Sequence, residues 1–330
     1  MATQMQYRKM GSSDLEVSVI GFGCWEIGGR YGAFDEQEVI DAVHRAIDLG
    51  VTLFDTALAY GAGKSEELLG RALGAKRKDV IVVTKGALPT RPGQKERRDA
   101  RYASIMQDVE DSLRALKLDY VDLYLQHWPD PETPIDESMR ALEEIRRSGK
   151  ARYVGVSNFH AHMLVEARKT APIVTNQVGY NLFDRRWERQ MFPTAREPGI
   201  GIMAYGPMAH GLLTGAFTKE TAFDENDWRR SGVIFGQRLF APEHFAQNVE
   251  VVEQLKQLAA ELDTPLAPLA IAWTLRDPIV AVALSGTRRR QEIEENVRAV
   301  ALLDKLTPDV LQRIDTIMAN AAGQTQDLPV

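Results

Sequence analysis

The sequence predicts an α/β fold, a (β/α) barrel closed into a ring, on three observations. From Val51 onward, short apolar runs alternate with segments of helical periodicity. That alternation implies right-handed crossovers and a parallel sheet. Each apolar run also turns polar at its C-terminal end, at Asp55, Lys85, His127, Asn158, Gln177 and Tyr205. A doubly wound sheet collects ligands at one crevice, whereas a closed ring builds its site from the C-terminal ends of all its strands. Finally, no Pro-, Gly- or Ser-rich linker divides the 330 residues, so one barrel domain over 1–330 is expected.

The elements follow in order. MQYRKM and DLEVSVI, around the turn-rich GSSD, form a small N-terminal hairpin. GFGCWEIGG is a glycine-rich loop. EQEVIDAVHRAIDLG has Val39, Val43 and Ile47 at helical spacing and stops at Gly50. VTLFDT is a strand, Ser65 to Leu73 a short helix, and DVIVVTK a β-branched strand ending at Lys85. A charged loop, TRPGQKERRDARY, precedes a helix from Ala103 to Lys117. YVDLYLQHW, ARYVGVSN, PIVTNQ and GIGIMAY are strands, separated by helices over Ile135 to Ser148, His160 to Lys169 and Arg185 to Arg196. Gly206 to Phe245 breaks the rhythm as a long loop, and so long a loop in a compact domain reads as a functional lid. Helices over Asn248 to Leu262 and Leu266 to Leu275 follow, then the strand IVAVALSG, a helix from Arg290 to Leu303 and a terminal helix opened by Pro308.

Composition narrows the function. The hydrophobic fraction of 44% supports a sizeable core. A net charge of -6 argues against nucleic acid or an anionic membrane as the main partner. Cys24 is the only cysteine, so there is no internal disulfide and no Cys-based metal site. His44, His160, His162, His210 and His244 fit no metal spacing, and no metal is expected. The first residues, MATQMQYRKM, are unlike a signal peptide, and no apolar run approaches the ~20 residues that span a bilayer, so a cytoplasmic location is expected. Oligomeric state is not readable.

The polar strand ends suggest carbonyl reduction. Adding hydride to a carbonyl leaves negative charge on oxygen, and a positioned acid must protonate it. Tyr60, on the loop after Asp55, is the candidate donor. A phenol has a pKa of about 10, and a nearby ammonium lowers it. Lys85 is that ammonium, and Asp55 holds it charged. His127 donates a hydrogen bond to the substrate oxygen. GAGKS is no P-loop, because Leu58 stands where the first glycine belongs, and Gly21, Gly23 and Glu26 do not complete a Rossmann fingerprint.

With these residues assembled, the sequence resembles the aldo-keto reductases along nearly its whole length. FDTALAYGAGKSEELLG is similar to that family's signature around the catalytic Asp55 and Tyr60, VVTKG to its Lys85 segment and LYLQHWPD to its His127 segment. GVSNF, NQVGYN and AYGPMAHGLLTG resemble its nicotinamide-binding segments. The resemblance implies an eight-stranded (β/α)8 TIM barrel, catalysis by Asp55, Tyr60, Lys85 and His127, and NADPH bound first. It implies that Ser157, Asn158 and Gln177 hold the nicotinamide amide and that Tyr205 stacks on its ring. Further cofactor contacts are implied at Gly23, Cys24, Trp25, Asp55, Gly206, Pro207, Leu212, Gly215, Gly286, Thr287, Arg288, Glu295 and Asn296. Arg288 is expected at the 2′-phosphate and Asn296 at the adenine. Glu292 stands where relatives often carry Arg or Gln, so NADH is an open alternative. The lid is expected over the pyrophosphate, ordering when cofactor binds.

Trp25 and Trp128 are read with Tyr60 and His127 as the substrate pocket, or else as core tryptophans. Trp187 and Tyr31 are placed at its rim. Glu26 is read as a surface carboxylate, with contact to a hydroxylated substrate as the second reading. Cys24 is read as a packed residue rather than a nucleophile. The branch resembled lies near bacterial sugar- and polyol-handling enzymes and potassium-channel β subunits. The expected partner is therefore a small carbonyl substrate. Polyol oxidation, a cofactor-binding regulatory barrel and a Lys85 Schiff-base lyase stand as alternatives.

Overall fold

A computed structural model describes residues 4–28, 34–88, 97–225 and 227–327. Two antiparallel strands, β1 (Tyr7–Lys9) and β2 (Glu16–Ser18), form the expected hairpin. Eight parallel strands then close on themselves: β3 (Ile20–Gly23), β4 (Leu53–Asp55), β5 (Ile81–Gly86), β6 (Val121–Gln126), β7 (Ala151–Ser157), β8 (Ile173–Gly179), β9 (Gly201–Tyr205) and β10 (Val280–Gly286). The ring closes where β10 pairs with both β9 and β3, Gly286 lying opposite Gly23.

The first barrel strand corrects the sequence reading. Ile20–Gly23 was expected to belong to the hairpin and a glycine-rich loop. It is instead the strand that shuts the ring, and only Trp25–Gly28 after it is a turn of 3₁₀ helix. Two of its four residues are glycine, which weakens any propensity signal. Gly21 is tolerated because the interior is crowded there by Leu284, Val282 and Leu53.

Helices α1 (Glu36–Asp48), α2 (Lys64–Leu73), α3 (Tyr102–Leu116), α4 (Ile135–Arg147), α5 (Ala161–Ala167) and α6 (Met191–Arg196) pack outside the sheet, followed by α7 (Pro242–Glu261), α8 (Leu266–Thr274), α9 (Arg290–Asn296) and α10 (Pro308–Met318). Their starts follow local chemistry. Asp35 Oδ1 accepts from the Gln37 and Glu38 amides at the head of α1, and Thr307 with Pro308 opens α10. The helix expected over Arg185 to Arg196 is short: residues 185–190 are turns, tied down by Asn181 and by the Asp184–Arg186 ion pair. The helix expected to run from Arg290 to Leu303 changes to 3₁₀ at Val297.

Apolar side chains fill two spaces. Leu53, Val83, Leu123, Leu125, Met203 and Val282 meet inside the ring, and a larger core lies between sheet and helices. The hairpin plugs the N-terminal end of the ring through Met10, Leu15 and Val17. Gly11 turns there at φ 58, where any Cβ would collide with the Gly199 carbonyl. With that end closed, the polar C-terminal ends of the strands open on the other.

Candidate active site

One cavity of about 300 Å³ opens at the C-terminal ends of the strands. Asp55 ends β4, Lys85 lies one residue before the end of β5, and His127 follows β6. Asn158 follows β7, Gln177 lies two residues before the end of β8 and Tyr205 ends β9. The six polar ends therefore converge, as the sequence reading expected.

Lys85 is fully buried at the floor. Its Nζ donates to Asp55 Oδ1 at 2.6 Å, to the Thr56 carbonyl at 2.7 Å and to Tyr60 Oη at 3.2 Å. Three acceptors around three N–H bonds fit an ammonium. Burial pushes the Asp55 carboxyl up and the Lys85 ammonium down, and their contact opposes both shifts. Full hydrogen bonding of both partners favours the charged pair. Gln177 Nε2 donates to the other Asp55 oxygen at 2.7 Å.

Tyr60 and His127 rings meet edge to face at 5.6 Å. Burial pushes the His127 imidazole well below its usual value, with the Lys85 charge adding to the effect, so it stays neutral. Burial likewise holds the Tyr60 phenol well above its usual value, and the Asp55 charge adds to that. The expected lowering by Lys85 and Asp55 is therefore reversed in this state. The Asp55–Lys85 pair is neutral overall, so the Lys85 hydrogen bond to Tyr60 Oη offsets only part of the cost of burying a phenolate.

A polar shelf runs along the opposite wall. Asn158, in the left-handed region at φ 60, donates through Nδ2 to the His127 carbonyl and to Ser157 Oγ. Its Oδ1 accepts from Tyr205 Oη at 3.0 Å, which fixes the tyrosine ring. Ser157 Oγ donates to the Gln177 carbonyl.

Of the residues expected at cofactor or substrate, Gly23, Cys24, Trp25, Trp128, Gly206, Pro207 and Gly286 join this wall. Cys24 is buried with its thiol pushed up, consistent with a packed residue. Leu212 does not line the cavity; its side chain is buried in the outer core. Gly215 lies against Lys256, and Thr287, Arg288, Glu295 and Asn296 stand beyond the cavity wall. Trp187 is no rim residue: it is fully buried beside His160. Tyr31 and part of the charged loop after Lys85 lie outside the described residues.

The lid contributes more than was foreseen. It is built of 3₁₀ turns at Ala209–Thr214 and Trp228–Ser231, and it lends His210, Gly211, Arg229 and Phe235 to the cavity. Trp25 stacks on Trp228 at 6.2 Å, with His210 edge-on to both rings. The aromatic content of the loop was the available signal. Glu26 also lines the cavity instead of facing solvent.

The residues present fit a nicotinamide dinucleotide. The cavity offers amide groups at one end, at Asn158 and Gln177. Beyond its other end, Asn296 Nδ2 and Ser285 Oγ are buried without hydrogen-bond partners. Such orphaned groups are costly unless a ligand or water meets them.

A closed parallel barrel with an Asp–Lys–Tyr chain and a neutral histidine at its mouth defines an oxidoreductase site. The chain belongs to the Aldo/keto reductase family, whose pattern matches residues 19–319. It is similar to the aldo-keto reductase YhdN of Bacillus subtilis (strain 168), 39% identical over 294 residues, 88% of this chain and 87% of that one. It is similar to the NADH-specific methylglyoxal reductase of Escherichia coli (strain K12), 32% identical over 307 residues, 88% and 92% of the two chains. Among solved structures, the glycerol dehydrogenase AKR11B4 from Gluconobacter oxydans superposes with a TM-score of 0.87 at 33% identity, over 99% of this chain and 98% of that one. The protein is thus an NAD(P)H-dependent carbonyl oxidoreductase. No helix among the described residues is long and apolar enough to cross a membrane.

Proposed function

We propose that the protein reduces small aldehydes and ketones, including sugar- or polyol-derived ones, to alcohols with NADPH. The observation that carries this reading is the hydrogen-bonded chain Asp55–Lys85–Tyr60, facing His127 across an apolar-walled cavity. Bound reduced nicotinamide supplies the hydride. Tyr60 Oη gives its proton to the carbonyl oxygen as negative charge develops there. Lys85, 3.2 Å away, then stabilises the phenolate. His127, kept neutral, orients the carbonyl through a single N–H without adding a charge that would repel Lys85. Trp25 and Trp128 hold the apolar part of the substrate. Ser157, Asn158 and Gln177 would hold the carboxamide of the cofactor, and Tyr205 would pack against its ring.

Reduction uses the protonated phenol, the form of Tyr60 that burial favours. Oxidation needs the phenolate as base, which burial makes scarce. At the adenosine end, the Glu292 carboxylate accepts from the Arg288 and Arg289 amides at 2.7 and 3.2 Å. It is engaged in closing the start of α9 rather than reaching for a ribose hydroxyl. The guanidinium of Arg288 is then the group for a 2′-phosphate.

Steady-state assays over aldehydes, sugars and polyols test the reading. Wild type should show a higher kcat/KM with NADPH than with NADH, and the reverse order would overturn the cofactor assignment. Tyr60→Phe should lose roughly 10²- to 10⁴-fold in kcat, the range of general acid catalysis. Near-normal turnover in that variant would sink the mechanism.

A further inference from the structure

Glu26 is the carboxylate of the cavity that the chemistry above does not use. It leaves β3 on the 3₁₀ turn Trp25–Gly28 and turns its carboxyl group back against the end of β10. A Cβ on Gly286 would coincide with that carboxyl group, so the side chain occupies the cradle that this glycine leaves open. Its Oε2 is enclosed and has no hydrogen-bond partner. A carboxylate with one oxygen enclosed and unpartnered is costly when ionised. Burial accordingly pushes the Glu26 carboxyl up to about 7. The Glu26 backbone and the Arg288 charge pull it back, and Glu292 pushes it further up.

We infer that Glu26 is a proton-operated gate on cofactor entry: neutral, it admits the anionic diphosphate of the dinucleotide between Gly286 and the lid, and ionised, it repels it. The inference rests on the reading that this cavity takes the dinucleotide. Binding then takes up a proton above neutrality, because the bound anion favours the neutral carboxyl.

The surroundings leave Glu26 as the group that titrates. Cys24 and Tyr60, which sense its charge, are both pushed well up by burial and stay neutral. From the lid, burial and the nearby Arg229 push the His210 imidazole down to about 4. His127 is also held neutral, and the Asp55–Lys85 pair carries no net charge. Glu66, the other carboxyl pushed to about 7 by burial, lies on α2 behind the barrel wall, bonded to Thr84, and does not line the cavity.

The probe is NADH, which lacks the 2′-phosphate and its own ionisation near pH 6. Its Kd, followed by fluorescence from pH 6 to pH 9, should rise at least tenfold in the wild type, approaching about tenfold per pH unit at the alkaline end. Glu26→Gln should change less than threefold over the same range and bind more tightly than wild type at pH 9. Glu26→Ala, which removes the group altogether, should match Glu26→Gln. Calorimetry at pH 8 in buffers of different ionisation heat should register proton uptake by the wild type and none by either variant. Equal slopes in wild type and variants, a flat wild type, or affinity that rises with pH would overturn the gate. No NADH binding at any pH would overturn the reading of the cavity itself, and the gate with it.

Discussion

Asp55 and Lys85 hold each other in place by charge. Each is buried, and each would be an uncompensated ion without the other. Asp55→Asn keeps an acceptor for Gln177 but leaves the Lys85 ammonium without an anion. Removing one partner of a buried pair costs about 3–5 kcal/mol, whereas replacing both by groups of similar volume costs far less. Urea unfolding should therefore show a large loss for Asp55→Asn and recovery of most of it in Asp55→Asn/Lys85→Met. The double variant should nonetheless be inactive as a reductase, because methionine does not stabilise the Tyr60 phenolate. Simple addition of the two single losses would mean that the pair is held by something other than its charge.

At the scale of elements, strands with a β-branched body and a polar last residue were legible in the sequence, and with them most of the site. Asp55, Lys85, His127, Asn158, Gln177 and Tyr205 were placed by their strands alone, since a parallel barrel brings all C-terminal ends to one mouth. Ile20–Gly23 was hidden because two glycines erase the propensity signal, although its pairing with β10 closes the ring. Glu26 was misjudged for a related reason. A carboxylate in a loop is ordinarily solvated, and the enclosure of its Oε2 comes from packing against Gly286, some 260 residues away in sequence. The lid aromatics Trp228 and Phe235 carried no periodic pattern that would fix their direction.

The turn from β10 into α9 was read from the sequence as a candidate phosphate site, and the use of Glu292 to close it was not foreseen. Arg288 should bear the 2′-phosphate contact, because the nearby amides are already taken. Arg288→Ala should raise the KM for NADPH at least tenfold, in line with about 1.5–3 kcal/mol for a hydrogen bond to a charged group, and leave the KM for NADH within about twofold. Equal increases for the two cofactors would place the phosphate contact elsewhere.

Across the whole molecule, the barrel separates stability from chemistry by putting them at opposite ends. The hairpin closes the N-terminal end, and Arg8 is its clamp. Its guanidinium donates to the Val280 carbonyl at 2.6 Å and the Leu275 carbonyl at 3.0 Å, with a longer bond of 3.4 Å to Asp277. These carbonyls lie where α8 ends and β10 begins, so one side chain ties the hairpin to the strand that shuts the ring. Arg8→Met keeps the apolar stem and removes the charged fork. The expected loss is about 2 kcal/mol of unfolding free energy, close to one strong charge-assisted bond after water replaces part of the rest. Because β10 is a rigid paired strand, its far end at Gly286 should not move. Urea titration should therefore show a lowered midpoint, while kcat and the KM values for substrate and cofactor stay within about twofold of wild type at 25 °C. A fall in kcat with an unchanged midpoint would show that the two ends of the barrel are coupled through β10.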